Sequence, residues 1–469
     1  MSPATPAARG LRLPDPERIG ELLARYDRPG PRYTSYPPAP AWTDAFGEAE
    51  LRAALGRSTG REIALYVHVP FCASLCTYCA CNREIHRDHS VAGPYLDELE
   101  READALAAAL GGDRACAQLA LGGGTPTYLD ERQLARLCEI IDGHFPPSPD
   151  SERSVEVDPR VTTRGQLEVL ASHGFNRISL GVQDFSRAVQ EAIRRVQSVE
   201  ETGRLARDAR DLGFESVNYD LIYGLPFQTV ASFAATVDRV IEHEPDRIAL
   251  YSYAHVTWVS KQQRGFERGD LPDAGRKIAI FTDALARLVG AGYRYLGLDH
   301  FALPGDELCR AFERGDLRRN FMGYTTGRDL DVVALGPSGI SEVAGAYAQS
   351  ARGVADWSDR IHVGGLATWR GWRLDEDDRR RRWLIHHLMC QGAIDPVAYQ
   401  STFDTALEET IPDLAERLAP FAADGLLVAE GSGWVLTPEG RVLVRPVAMV
   451  FDVYLAGNDG SARRFSRTV

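Results

Sequence analysis

"YVHVPFCASLCTYCACN" (residues 66–82) sets four of the chain's eight cysteines within ten positions, directly behind the β-branched run that begins "EIALYVHVP". The spacing is Cys72-x3-Cys76-x2-Cys79-x-Cys81. Thiolates this close are soft ligands that suit an iron–sulfur cluster or zinc. Structural zinc ordinarily joins two separated Cys/His pairs, and no second pair follows here, while a disulfide or inert thiols are the remaining readings. Cys116, Cys138, Cys309 and Cys390 stand singly, the last three within helical apolar patterns, and are expected to be small buried hydrophobes.

Outward from this stretch the chain alternates short apolar runs with helix-length amphipathic segments. "EIALYVHVP" is followed by "QLALGGGTPT", "RSVEVDPR", "FNRISLGVQDF", "SVNYDLIYGLP" and "DRIALYSYAH". Strand–helix alternation implies an α/β fold with a parallel sheet, and six or more units predict a complete or partial (β/α) barrel. In such barrels the C-terminal strand ends form the active face, so Cys72 to Cys79, Gly122 to Thr125, Glu156, Gln183, Asp220 and Ala254 are expected to converge. Residues 1–60 hold the amphipathic "ERIGELLARY" and then "GPRYTSYPPAPAW", whose prolines forbid regular structure, and read as an arm covering the active site. Residues 61–365 read as the barrel. Residues 366–469 read as a mostly helical domain ending in a helix and a hairpin turning at Gly431-Ser432-Gly433, a winged-helix-like unit.

The composition is that of a folded chain of 469 residues, 44% hydrophobic and 25% charged, with room for more than one core. A formal charge of -13 argues against general nucleic-acid affinity, so an anionic ligand must meet a local basic pocket. "DEDDRRRR" (375–382) balances its charges and reads as the solvated start of a helix. No run approaches the eighteen or so apolar residues of a membrane span, and the N-terminus lacks the apolar core of a signal peptide. With its thiols read as reduced, the chain is expected in the cytoplasm, with no membrane or nucleic-acid partner.

C-x3-C-x2-C at the end of a first barrel strand is similar to the signature of radical S-adenosylmethionine (SAM) enzymes. "GPRYTSYP", "YVHVPFC", "GGGTPTYL", "EVDPR", "GFNRISLGVQDF", "DLIYGLP", "YAH", "DHF", "NF-GYTT" and the terminal "FSR" occur in the order found in one family of them. Over nearly its whole length the chain resembles the oxygen-independent coproporphyrinogen III oxidases. The resemblance implies that Cys72, Cys76 and Cys79 ligate three irons of a [4Fe–4S] cluster, the fourth iron being left for SAM, whose reductive cleavage gives a 5′-deoxyadenosyl radical. Cys81, the extra cysteine, is implied not to be a ligand and stays a catalytic candidate. Tyr66 is implied to lie against the first SAM, with Gly122, Gly123, Gly124, Thr125 and Glu156 around it and Ile340 as an apolar wall. The glycines are expected to let backbone N–H groups approach that ligand. Gln183, Arg195 and Asp220 are implied to bind a second SAM, with backbone contacts from Tyr78 and Ala254.

The implied reaction converts two propionates of coproporphyrinogen III into vinyl groups, giving protoporphyrinogen IX in heme biosynthesis. Arg32, on the arm, is the candidate for a propionate carboxylate. An electron donor such as flavodoxin or ferredoxin and a monomeric state are implied as well. Where enterobacterial members carry His-Trp before the glycines, an Arg after "DHFA" and a Gln in "NFQGYTT", this chain has Ala120-Leu121, Leu303 and Met322. These aliphatic replacements set one alternative, a related methylase or cyclopropane-forming enzyme acting on another substrate. A heme-binding chaperone is the other, with His68 and His255 as axial ligands.

Overall fold

The computed structural model describes residues 14–26, 28–257, 260–326, 329–455 and 465. Of the terminal "FSR" only Phe465 falls within them.

The apolar runs become strands β1 (Glu62–Val69), β2 (Ala115–Gly123), β3 (Pro147–Val157), β4 (Arg177–Gln183), β5 (Ser216–Tyr223) and β6 (Arg247–Ser252). Each pairs in parallel with the next. Helices Ala92–Leu110, Glu131–His144, Arg164–Ser172, Val199–Asp211, Val230–Glu242 and Ala274–Gly290 follow the strands in turn. Asp130, Thr163, Ser198, Thr229 and Asp273 cap five of these helices by accepting a first-turn backbone N–H, which fixes where each crossover begins. Leu65, Leu119, Val155, Ile178, Val217 and Ile248 of the strands join Leu99, Leu134, Leu170, Leu205, Val237 and Leu285 of the helices in one core.

The sheet continues beyond these units. β7 (Arg294–Gly297) and β8 (His300–Ala302) extend it antiparallel past β6, and β9 (Asp331–Leu335) lies parallel to β1. Outside β9 come β10 (Ile340–Val343), β11 (Ala346–Ser350) and β12 (Thr368–Arg373), all antiparallel. The twelve-stranded order is β12-β11-β10-β9-β1-β2-β3-β4-β5-β6-β8-β7. Among the described residues β7 and β12 are not paired with each other, so the barrel is partial and open. Residues 366–469, expected to be mostly helical, also contribute β12. "TWRGWR" alternates cations with tryptophans and joins the sheet through backbone pairing with β11, which no apolar run announces.

The arm and the C-terminal segment share a second core. Ile19, Leu22 and Leu23 of helix Pro16–Tyr26, with Tyr33 and Tyr36, pack against Leu384, Leu388, Leu414, Leu418 and Val447. The Tyr33 hydroxyl donates to Asp452 Oδ2 at 3.0 Å, and Arg445 donates to the carbonyls of Pro31 at 3.0 Å and Gly30 at 2.5 Å. Helices Glu376–Gln391, Pro396–Phe403 and Leu414–Ala423 accompany a small sheet of Ala393–Ile394, Leu427–Glu430 and Gly433–Leu436. Its hairpin pairs Glu430 with Gly433 and turns through Gly431-Ser432, Gly431 at φ 59°. Asp375 caps the first helix, and Arg380–Glu376 and Arg381–Asp377 form pairs one turn apart along it. The helix start is not wholly solvated, because Asp378 is 2% exposed and accepts hydrogen bonds from Trp372 Nε1 at 2.9 Å and the Tyr454 hydroxyl at 2.7 Å. Among the described residues no helix is long and apolar enough to cross a membrane.

Candidate active site

The C-terminal ends of β1–β6 open on a cavity of about 490 Å³. Cys72, Cys76, Cys79, Cys81, Tyr78, Gly123, Gly124, Thr125, Glu156, Gln183, Arg195, Asp220 and Ala254 line it, and Arg32 reaches it from the arm. Tyr66, Gly122 and Ile340 are not among the lining residues. Tyr66 lies just behind the wall, its hydroxyl 3.1 Å from His68 Nδ1, and a Cβ built on Gly122 would stand 3.2 Å from its ring and 3.0 Å from Glu156 Oε2. Ile340 packs beside Trp42, Tyr347 and Leu374.

The cysteine loop is tied down from several directions. Gln263 Nε2 donates to the Tyr78 carbonyl at 2.7 Å and the Ala254 carbonyl at 3.2 Å, joining the loop to the end of β6. The Cys79 carbonyl accepts from Ser260 Oγ at 3.2 Å and from Gln262 Nε2. The thiols differ in surroundings. Burial pushes Cys72 up to about 11 against a 3.4 Å contact with Thr125 Oγ1. Cys79 is drawn down to about 6 by the Cys81 thiol, which donates to it, with the Cys81 backbone N–H and the Arg83 and Arg195 charges adding to the effect. Cys81 is pushed up as the donor of that pair. Cys76 Sγ faces two guanidinium groups, Arg160 at 3.6 Å and Arg195 at 3.8 Å.

The glycine triplet acts by close approach. Gly123 sits at φ 112°, and a Cβ on Gly124 would stand 2.6 Å from the Phe71 carbonyl oxygen. The Gly124 N–H donates to the Val69 carbonyl at 2.8 Å and the Thr125 N–H to the Phe71 carbonyl at 2.9 Å. The Gly123 N–H serves the Glu156 carboxylate. These amides are engaged within the chain and the triplet seats β2 against the cysteine loop, while Gly123, Gly124 and Thr125 line the cavity. Opposite lie two carboxyl groups. Glu156 is raised to about 7 by burial and the nearby Asp220 charge, and Asp220 to about 6 by burial despite hydrogen bonds from Ser179 Oγ and Asn218 Nδ2, both at 2.9 Å. Carboxyl groups so placed favour a cationic ligand group such as an ammonium. Gln183, in the cavity wall, adopts φ 65°, a left-handed conformation that costs a non-glycine residue on the order of 1–3 kcal/mol. Arg195 is fixed by the Gly181 carbonyl at 2.7 Å and Asp158 Oδ2 at 2.9 Å.

Arg32 forms an ion pair with Asp299 and lies 5.7 Å over the Tyr251 ring, itself part of the wall. Behind them Tyr251 meets His300, His300 meets Tyr324, and Arg319 covers Tyr324 at 5.2 Å. Arg319 is 5% exposed, and its buried Nε and Nη1 have no hydrogen-bond partner. Asp158, Arg160, Ser179, Tyr251 and Gln263 thus belong to the site without a strong sequence signal of their own; the "EVDPR" match spans the first two and the "GFNRISLGVQDF" match spans Ser179. Ala120, Leu303 and Met322 do not line the cavity: Ala120 pairs with Tyr66 and Ser154 within the sheet, Leu303 packs on the main core, and Met322 sits at a hairpin tip where its N–H donates to Asn320 Oδ1 at 2.9 Å. His68 engages the Tyr66 hydroxyl and the Asn82 carbonyl with its two ring nitrogens and is drawn down to about 4 by burial, while His255 Nδ1 contacts the Tyr253 hydroxyl at 3.2 Å.

Among the described residues no group of three or more His, Cys, Asp or Glu side chains is arranged to hold a single metal ion. The fit of an iron–sulfur cluster rests on three soft thiols of one loop opening on one cavity, with cations at Cys76 to offset thiolate charge. A family model described as the radical SAM superfamily matches residues 66–240, the span from β1 through most of the helix after β5. Fold, thiols and cavity together define a radical SAM enzyme, whose cofactors are a [4Fe–4S] cluster and SAM. A second model, the HemN C-terminal domain, matches residues 374–443. The chain is 42% identical to the oxygen-independent coproporphyrinogen III oxidase of Pseudomonas aeruginosa over 96% of its own length and 98% of the relative's. It is 41% identical to that of Escherichia coli K12 over 96% and 98%. The solved structure of the Escherichia coli coproporphyrinogen III oxidase, itself described as a radical SAM enzyme, superposes with a TM-score of 0.89 at 40% identity, covering 92% of this chain and 98% of that one. The chain belongs to the oxygen-independent coproporphyrinogen III oxidase family.

Proposed function

We propose that this protein decarboxylates two propionates of coproporphyrinogen III oxidatively and without oxygen, yielding protoporphyrinogen IX for heme biosynthesis. Each propionate loses a β-hydrogen, carbon dioxide and one electron and becomes a vinyl group. When bound, the cluster and SAM supply the one-electron chemistry that removes the hydrogen. Cys72, Cys76 and Cys79 hold the cluster. Glu156 and Tyr66 position the first SAM. Gln183, Arg195 and Asp220 hold a second SAM, with Tyr78 and Ala254 contributing backbone. Ile340, packed beside Trp42 and Tyr347, provides an apolar wall for the first SAM. Arg32 takes a propionate, exchanging part of its pairing with Asp299 for the substrate carboxylate.

The observation that carries this reading is the delivery of Arg32 to the cavity by an arm that the C-terminal segment holds through Asp452 and Arg445. A tetra-anionic macrocycle needs cations beyond the SAM sites, and Arg319, with buried donors lacking partners, is a second cation toward that need. Low-potential electrons from a flavodoxin or ferredoxin, a cytoplasmic location and a monomeric state complete the proposal. Complementation tests it: in anaerobic cells lacking every coproporphyrinogen oxidase, the wild-type chain restores heme-dependent growth and Cys76→Ala does not. Failure of the soluble, cluster-loaded wild-type chain to restore growth would contradict it.

A further inference from the structure

Asp158, the residue after β3, is 7% exposed and holds two guanidinium groups at once. Arg160 donates to it through Nε at 3.0 and 3.2 Å and Nη2 at 2.6 Å, and Arg195 through Nη1 at 2.9 Å. The carboxylate itself is fixed by the turn that leaves the strand: its Oδ1 accepts the Arg160 N–H at 3.1 Å, and the Asp158 carbonyl accepts the N–H groups of Val161 and Thr162, both at 3.1 Å. Both guanidinium groups then meet one sulfur, Cys76 Sγ, at 3.6 Å from Arg160 and 3.8 Å from Arg195. Cys72 meets a hydroxyl at 3.4 Å and Cys79 meets a thiol, so cationic donors within hydrogen-bond range are concentrated on a single corner of the site. Two guanidinium charges against one carboxylate leave a net positive charge there.

We propose that Arg160 is a positioning residue that sets the reduction potential of the family's cluster through Cys76. A cationic N–H donor on a thiolate ligand withdraws electron density from sulfur and stabilises the extra negative charge of the reduced cluster, which raises its potential. The Arg160 side chain is 18% exposed, so water screens this charge weakly. Asp158 fixes the Arg160 fork by engaging Nε and Nη2, and the same Nη2 that meets Asp158 Oδ2 at 2.6 Å meets Cys76 Sγ at 3.6 Å; with Arg195 beside it, two guanidinium charges outweigh the one carboxylate at the sulfur. Arg195 shares the contact but is also held by the Gly181 carbonyl and proposed at SAM, so Arg160 isolates the electrostatic role.

The test is a redox titration of the anaerobically reconstituted, SAM-free protein, followed by the electron paramagnetic resonance signal of the reduced cluster. Arg160→Gln is expected to lower the ratio of reduced to oxidised cluster about tenfold at a fixed poise, about 59 mV for a one-electron couple. Iron and sulfide content are expected to be unchanged. Arg160→Lys, which keeps the charge and loses the fork, is expected to shift the potential the same way by less, and it decides the matter if the Gln variant does not load a cluster. An unmoved potential in either fully loaded variant overturns the proposal. An unmoved potential with weakened SAM binding also overturns it, placing Arg160 in the SAM site instead.

Discussion

At Gly124 there is no space for a side chain, because the nearest neighbour of a Cβ would be backbone, the Phe71 carbonyl oxygen at 2.6 Å. Gly124→Ala is expected to push the cysteine loop away from β2 at a cost of about 1–3 kcal/mol. Iron bound per chain after reconstitution checks it, and full loading would contradict the packing account. Arg32→Ala is expected to raise KM for the tetrapyrrole about tenfold while leaving cluster content unchanged; equal KM values would remove Arg32 from the substrate site. Glu102 gives a pH dependence. It is 2% exposed, accepts the Gly336 N–H at 2.7 Å, and is raised by burial from 4.5 to about 7. The folded chain therefore holds a proton here that the unfolded chain releases above about 4.5, so this contribution is present at low pH and falls through the window up to about 7, by on the order of 3 kcal/mol. Glu102→Gln keeps the acceptor and is expected to raise the melting temperature at pH 8 but not at pH 4. The cysteines and glycines were legible in the sequence because their chemistry is local. Asp158, Arg160 and Gln263 were far less so, because their roles depend on Arg195, Cys76, Tyr78 and Ala254, distant partners that only the fold assembles.

Among elements, β1–β6 could be read directly, since a strand buried on both faces is a continuous apolar run. β9 to β12 are only four to six residues long, and "TWRGWR" carries no such run, so this extension of the sheet stayed out of reach. The arm was legible as irregular from its prolines, but not its anchorage, because Tyr33–Asp452 joins residues 419 positions apart. Asp452→Ala is expected to loosen residues 28–36, seen as faster proteolysis there, and to raise the 5′-deoxyadenosine formed per vinyl group. Unchanged proteolysis and unchanged coupling would show that the arm needs no such anchor.

For the whole molecule, a partial barrel supplies the thiols and the carboxyl wall, while the arm and C-terminal segment bring Arg32 to the same cavity. The division of labour predicts that removing residues 1–36 leaves cluster assembly intact while abolishing tetrapyrrole turnover. Its central claim is tested most directly by anaerobic turnover of the reconstituted full chain with SAM, a low-potential reductant and coproporphyrinogen III, following tetrapyrrole mass together with 5′-deoxyadenosine. The account predicts a product lighter by two carboxyl groups and two hydrogens, with 5′-deoxyadenosine accumulating in step with each vinyl group formed. 5′-Deoxyadenosine produced while the tetrapyrrole mass stays fixed would contradict it.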